Sequence, residues 1–334
     1  MTVTGLGDLA WNLQTRRQSA ALKALTQRLG TEVSTGLAAD PARRLGGDLA
    51  PLAGIETALA RLTGFSRAAD EAAQFAARQQ AALATISEMT ADLTPRLLDP
   101  VSNATPAALA AVTREAAARL DSAVSTLNAP FAGRTLFAGT ASDGPALAPA
   151  ESILTALEIE IAGLTTAADV TAAVSAWFAD PAGFGTLGYL GGPAVPAVAL
   201  SDRDSLALDT TAADPALRDT LEGLALAALV ARGSGPAAPA EREALAKRAG
   251  ERLLAAETAR ATLTGRIGTV EARIAGIAAE SATERAALEM ARTEMLAVDP
   301  YEAASRLEAA SGQLEALYAV TARLSRLSLL EFLR

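Results

Sequence analysis

The chain has 334 residues, half of them hydrophobic but only 4% aromatic, and a formal net charge of −9 at pH 7. It contains no cysteine and no histidine, which excludes disulfides, thiolate or imidazole metal sites, a cysteine nucleophile and the usual general base near neutral pH. The acidic balance argues against a nucleic-acid partner.

The amino-terminal stretch reads as helix. Leu6, Leu9 and Leu13, then Leu22, Leu25, Leu29 and Val33, keep helical spacing, and Gly36, Asp40 and Pro41 mark a break. The start, MTVTGLGDLAWNLQTRRQ, has neither a basic opening nor a continuous apolar core, so no cleaved secretory signal is expected. A second long helix is expected over about 48–94, ended near Pro95 and Pro100, and a third over 107–127, entered through a turn at Ser102–Thr105 and Pro106. The centre differs in texture, since nine of the fifteen prolines fall between Pro130 and Pro239 and proline breaks helix interiors. Short helices are expected at 152–163 and 168–178, short strands and turns at 184–211, a helix at 215–232 and a linker at 233–240. From 240 to 299 there is no proline, and Leu253, Ala256, Leu263, Ile267, Val270, Ile274 and Ile277 recur at three- and four-residue steps. That is a bundle seam on one very long helix. No stretch approaches the roughly 20 apolar residues of a membrane span, so no membrane insertion is expected.

The chain closes on another stripe, from Ala303 through Leu307, Ala310, Leu314, Leu317, Val320, Leu324 and Leu327 to Leu330. Such a stripe needs a partner, in this chain, in a membrane or in another molecule. A membrane-surface helix would want a basic polar face, whereas arginines and glutamates nearly balance here. Charge supports buried ends: residues 1–34 carry a net +2 and 305–334 a net +1, leaving −12 on the middle.

The loops offer little chemistry. LNAPFAGRTLFAGT, residues 127–140, lacks the glycine pattern and lysine of a phosphate loop. It reads as a structural turn built on Asn128, Gly133, Phe137 and Gly139. GYLGGP (188–193) reads as a β-turn, and the acidic SDRDS (201–205) and DTTAADP (209–215) as solvated turns without a calcium-loop ligand series. Trp11 and Trp177 read as packing residues. No catalytic, cofactor or metal site is expected.

Three blocks together resemble the flagellin-like axial proteins of the bacterial flagellum: RLGTEVSTGLAADPARR near the start, LNAPFAGRTLFAGTASDG, and the closing VDPYEAASRLEAASGQLEALYAVTARLSRLSLLEFLR. The resemblance is closest to the hook-associated protein 3 family of hook–filament junction subunits. Thr135 departs from the pattern, because an aromatic residue is frequent there. The resemblance implies a mainly α fold, a long-helix bundle made from both chain ends with a small α+β outer domain inserted in the middle. The implied layout is an innermost helix at 1–40, a helical layer from 41–140 and 240–299, an outer domain at 141–239, and a last helix at 300–334. It implies a non-catalytic structural subunit joining hook to filament, exported through the flagellar type III apparatus and located outside the cell. Implied partners are neighbouring axial subunits, copies of itself and an export chaperone. The expected assembly interface is Leu6, Leu9, Leu13, Leu25, Leu29, Leu307, Leu314, Leu317, Leu324, Leu327 and Leu330. Rival expectations are a flagellin filament subunit, a cytoplasmic coiled-coil scaffold and, last, an enzyme.

Overall fold

A computed structural model describes the backbone of residues 4–99, 103 and 105–332 and the side chains of 10–99, 103 and 105–323. The fold is mainly α. Its long helices are α1 (Thr4–Thr35), α3 (Ala50–Ala91), α5 (Pro106–Leu127), α8 (Pro215–Arg232), α9 (Pro239–Leu296) and α10 (Pro300–Phe332). Shorter helices are α2 (Pro41–Arg44), α4 (Leu93–Leu98), α6 (Ala150–Glu160) and α7 (Ala167–Ala179), with one π-helical turn at Phe184–Gly188. Two antiparallel hairpins complete the described residues, β1 (Pro130–Phe131) with β2 (Arg134–Thr135), and β3 (Val198–Ala199) with β4 (Ser205–Leu206).

The chain forms two compact units, residues 1–63 with 283–334, and residues 64–282. Each takes part of α3 and of α9. In the second unit the side-chain amide of Gln80 on α3 donates to the Thr264 carbonyl of α9 at 2.8 Å. In the first, Glu56 of α3 pairs with Arg292 of α9 at 3.8 Å.

The helix starts follow capping chemistry. Thr105 accepts from the Ala108 N–H ahead of Pro106, Thr166 from Asp169, and Asp214 from Ala216 ahead of Pro215. The expected stop near Pro95 falls earlier, after Ala91, and Pro95 sits inside the first turn of α4, where its missing N–H leaves no intrahelical bond unmade. The turn expected at Ser102–Thr105 lies partly outside the described residues. The linker expected at 233–240 is shorter, because Pro239 already opens α9. In GYLGGP, Gly188 ends the π-helical turn and the chain then runs extended: Tyr189 bridges Leu147, and Gly191 and Gly192 let the backbone run so close to Ala138 and Thr140 that no Cβ fits.

The core of the second unit centres on α8. Residues 220–230 are all buried, apolar except for Thr220 and Glu222, a segment buried on every side of the kind that only a helix enclosed by others can carry. Its neighbours are α5, α6 and α7, and Gly223 lies so close to Leu253 of α9 that an added Cβ would stand 2.8 Å from that side chain. One buried cluster runs from Ala76 and Leu83 of α3 through Leu120 of α5, Leu157 and Phe178 to Leu253 and Ile267 of α9. Residues 141–239 therefore share their core with the flanking long helices.

Two arginines shape this core differently. Arg119 of α5 grips both carboxylate oxygens of Asp92, at 2.5 and 2.9 Å, and also bonds the Met89 carbonyl and Glu115. That hydrogen-bonded fork holds the Asp92 carboxyl down at about 2. Arg260 of α9 is 2% exposed and bonds only hydroxyls, of Thr220 (2.6 Å) on α8 and Thr90 (2.8 Å) on α3. Its Nε is buried without a partner, and burial lowers its pKa.

Two outcomes follow. A depressed carboxylate contributes stability above its unfolded pKa, near 4, that is lost as pH falls through about 2. Asp92→Asn should therefore flatten the acid limb of an unfolding-versus-pH series and leave the neutral limb's slope unchanged. Arg260→Met should raise the denaturant midpoint by about 1–3 kcal/mol equivalent. Thr90 and Thr220 keep bonds to the Ile86 and Ala216 carbonyls, so the substitution leaves no orphaned hydroxyl.

Candidate functional site

The terminal helices find a partner in each other. In the first unit α1 and α10 run antiparallel along a shared stripe. Leu29, Ala303 and Ala310 are buried on it, and Leu22, Leu25, Leu307, Leu314 and Leu317 half-buried. The pair is pinned where α1 ends. Leu37 bridges Ala297, the Ala38 N–H donates to the Leu296 carbonyl at 2.8 Å, and the Val298 N–H to the Gly36 carbonyl at 3.0 Å. Further along, the Lys23 ammonium sits 5.6 Å from the Tyr318 ring centre, a cation–π contact. Lys23 and then Ser19 also hydrogen-bond the Tyr318 hydroxyl and draw its pKa below the usual phenol value.

The seam does not use every leucine expected of it. Leu13 is 52% exposed and Val320 is 52% exposed. Leu13 lies nine residues before Leu22, about two and a half helical turns, so the two occupy opposite faces of α1. Leu25, Leu29, Leu307, Leu314 and Leu317 thus serve the contact within the chain, and Leu13 faces away from it. Leu6 and Leu9 stand seven and four positions before Leu13, in its helical register; their side chains, and those of Leu324, Leu327 and Leu330, lie outside the described residues. The signal for this division was in the sequence, because a nine-residue gap in a leucine series changes the face it marks.

The expected structural turn is compact and belongs to the second unit. The Asn128 amide reads the Leu147 backbone in both directions, donating at 3.0 Å and accepting at 2.8 Å. Ala132 (φ +49°) and Gly133 (φ +79°) form the two-residue loop of the β1–β2 hairpin, a type I′ geometry that asks for positive φ at both positions. Phe137 is fully buried, and its carbonyl accepts from the Ala212 N–H. Gly139 has φ +60°, and a Cβ there would meet the Pro193 carbonyl oxygen at 2.3 Å. Sequence reasoning missed Gln79. It is 1% exposed and donates to both the Leu136 and Thr210 carbonyls. It lies three residues after Ala76 and four before Leu83 on the buried face of α3, the one signal that could have found it.

The described residues hold no group of three or more acidic side chains suited to a metal, and no described helix is long and apolar enough to cross a membrane. Residues 253–333 match the family described as the bacterial flagellin C-terminal helical region. The chain resembles flagellin-like axial proteins. α9 from Leu253 onward and all of α10, which supplies one side of the terminal seam, lie within that match. A solved structure described as a flagellar hook-associated protein from Vibrio parahaemolyticus shares the fold, with a TM-score of 0.50 over 73% of this chain and 95% of that one at 16% sequence identity. No curated protein matches the sequence. The family match supports a structural role of the flagellin-like kind, and the solved structure supports the fold.

Substitution in the turn should be costly where backbone is close and beneficial where it is strained. Gly139→Ala should lower stability by roughly 2–4 kcal/mol, since it combines an unfavourable φ with a clash against a carbonyl. Ala132→Asn should add about 0.5–1 kcal/mol. Chemical denaturation of both variants checks the pair.

Proposed function

We propose that this chain is a non-catalytic subunit of the bacterial flagellum that joins hook to filament. On this reading it is carried out by the type III route with an export chaperone and assembles outside the cell against neighbouring axial subunits. The carrying observation is the half-used apolar surface of the terminal helices: the α1–α10 pair closes one stripe and leaves Leu13, 52% exposed, on the opposite face of α1 and Val320, 52% exposed, at an open groove beside Leu22. A two-helix hairpin cannot enclose apolar residues on both sides, and an assembly in which hairpins pack against one another can. The likeness in fold to a protein described as hook-associated is consistent with the junction reading.

The two faces should respond differently to charge. Leu13→Asp should leave the monomer's unfolding midpoint within about 0.5 kcal/mol while blocking incorporation into sheared flagella. Leu29→Asp should open the α1–α10 pair itself, seen as lost helicity and rapid proteolysis of both ends. Immunogold labelling of the intact organelle should decorate a short zone at the filament base; decoration along the whole filament would make the chain a filament subunit instead.

A further inference from the structure

A cleft of about 450 Å³ opens in the first unit between α1, α2 and α10. Its floor is apolar, with Leu25, Leu29, Ala303 and Ala310, and its rim carries Arg28, Arg43, Arg44 and Arg306. As many carboxylates line it, but they are already engaged. Glu32 accepts from the Ala39 N–H, Asp40 from the Arg43 N–H, Asp299 from the Tyr301 and Glu302 N–H groups, and Glu302 from Arg306 at 2.6 Å. Asp40 alone faces two guanidiniums, Arg28 at 3.8 Å and Arg43 at 3.6 Å, both beyond hydrogen-bond length. Arg44 makes no ion pair among the described residues. The rim is balanced in charge, but among the described residues Arg44 has no ion pair and Arg43 only a long one, so these two forked guanidiniums keep donors for an incoming carboxylate.

The same unit displays a counterpart. On α9, Met290 is 67% exposed, and Glu294 lies one turn on along the same face. Glu294 is exposed and makes no ion pair among the described residues. A thioether with a carboxylate beside it fits an apolar floor with an arginine rim in both chemistry and sign. We propose that the cleft receives the Met290–Glu294 face of α9 from a second copy of this chain, with Met290 on the Leu25–Leu29 floor and Glu294 held by Arg43 and Arg44. The proposal rests on the reading of the chain as an axial subunit and adds to it a lateral contact distinct from the exposed face at Leu13.

The absence of cysteine makes the contact directly testable. Cells would produce two differently tagged full-length copies, one Arg44→Cys and one Glu294→Cys, and sheared appendages would be oxidised and probed for a disulfide-linked dimer carrying both tags. That dimer is expected. In parallel, Arg43→Glu with Arg44→Glu should reduce incorporation by more than about tenfold, and adding Glu294→Arg to the same chain should restore it. Glu294→Arg alone, at an exposed site, reads the same contact if the double variant fails to fold. Both tags present without a mixed dimer would overturn this contact and leave the axial reading standing. Capture of Arg44→Cys only by a subunit of another kind would overturn the second-copy assignment. Neither tag in the appendages would overturn the axial reading and this contact together.

Discussion

An amphipathic helix must cover its apolar stripe, and the two ends of this chain cover one stripe with the other. The antiparallel α1–α10 seam depends on that exchange. Leu29, Ala303 and Ala310 become buried because the far ends of the sequence meet, and the short backbone bridge at Leu37 and Ala297 sets the register from which the seam runs. Two helices can dry only the faces they turn to each other. Leu13, on the opposite face of α1, and Val320, at the open edge of the seam, each stay 52% exposed. The buried stripe and the exposed apolar residues are thus two consequences of one packing limit, not alternatives.

The second unit solves a different problem. Alanine-rich helices approach closely but supply little apolar volume, so the unit places α8, with eleven consecutive buried residues, where several helices can surround it. Polar groups buried by that arrangement are matched to backbone or to one another. Gln79 ties α3 to the carbonyls of two loop segments, and Glu222, on α8 itself, meets Arg252 of α9 at 2.7 Å and the Ser175 hydroxyl of α7. The exceptions are Asn103 Oδ1 and the Nε atoms of Arg252 and Arg260, buried without a partner, and Arg260 is also a charge held by two threonine hydroxyls where a carboxylate would be expected. Such a site weakens a core, and it sits where three long helices cross.

Much of the candidate interface was legible before any coordinates. Three- and four-residue spacing marked the long helices and their buried sides, and proline positions separated helical ends from an irregular centre. Asn128, Gly133, Phe137 and Gly139 belonged to a turn on residue type alone, because positive φ and backbone pairing call for glycine and asparagine. Less legible was the division of one leucine series into two faces. Periodicity identifies a stripe within a few turns, while the gap between Leu13 and Leu22 spans enough of the helix to reverse it. The arginine cleft was not legible at all, since Arg28, Arg43, Arg44 and Arg306 come from three helices that only folding brings together.

Composition and spacing by themselves determined that this is a helical protein without metal-binding thiols or imidazoles and with apolar chain ends in need of partners. Those are properties of local pattern, readable because a helix repeats every 3.6 residues. Tertiary structure decided which partner each face receives, and that α8 is a core helix. It also decided which carboxylates around the cleft are already engaged, leaving Arg43 and Arg44 with donors to spare. Those outcomes depend on contacts between residues tens to hundreds of positions apart, and no local pattern encodes the distance between them.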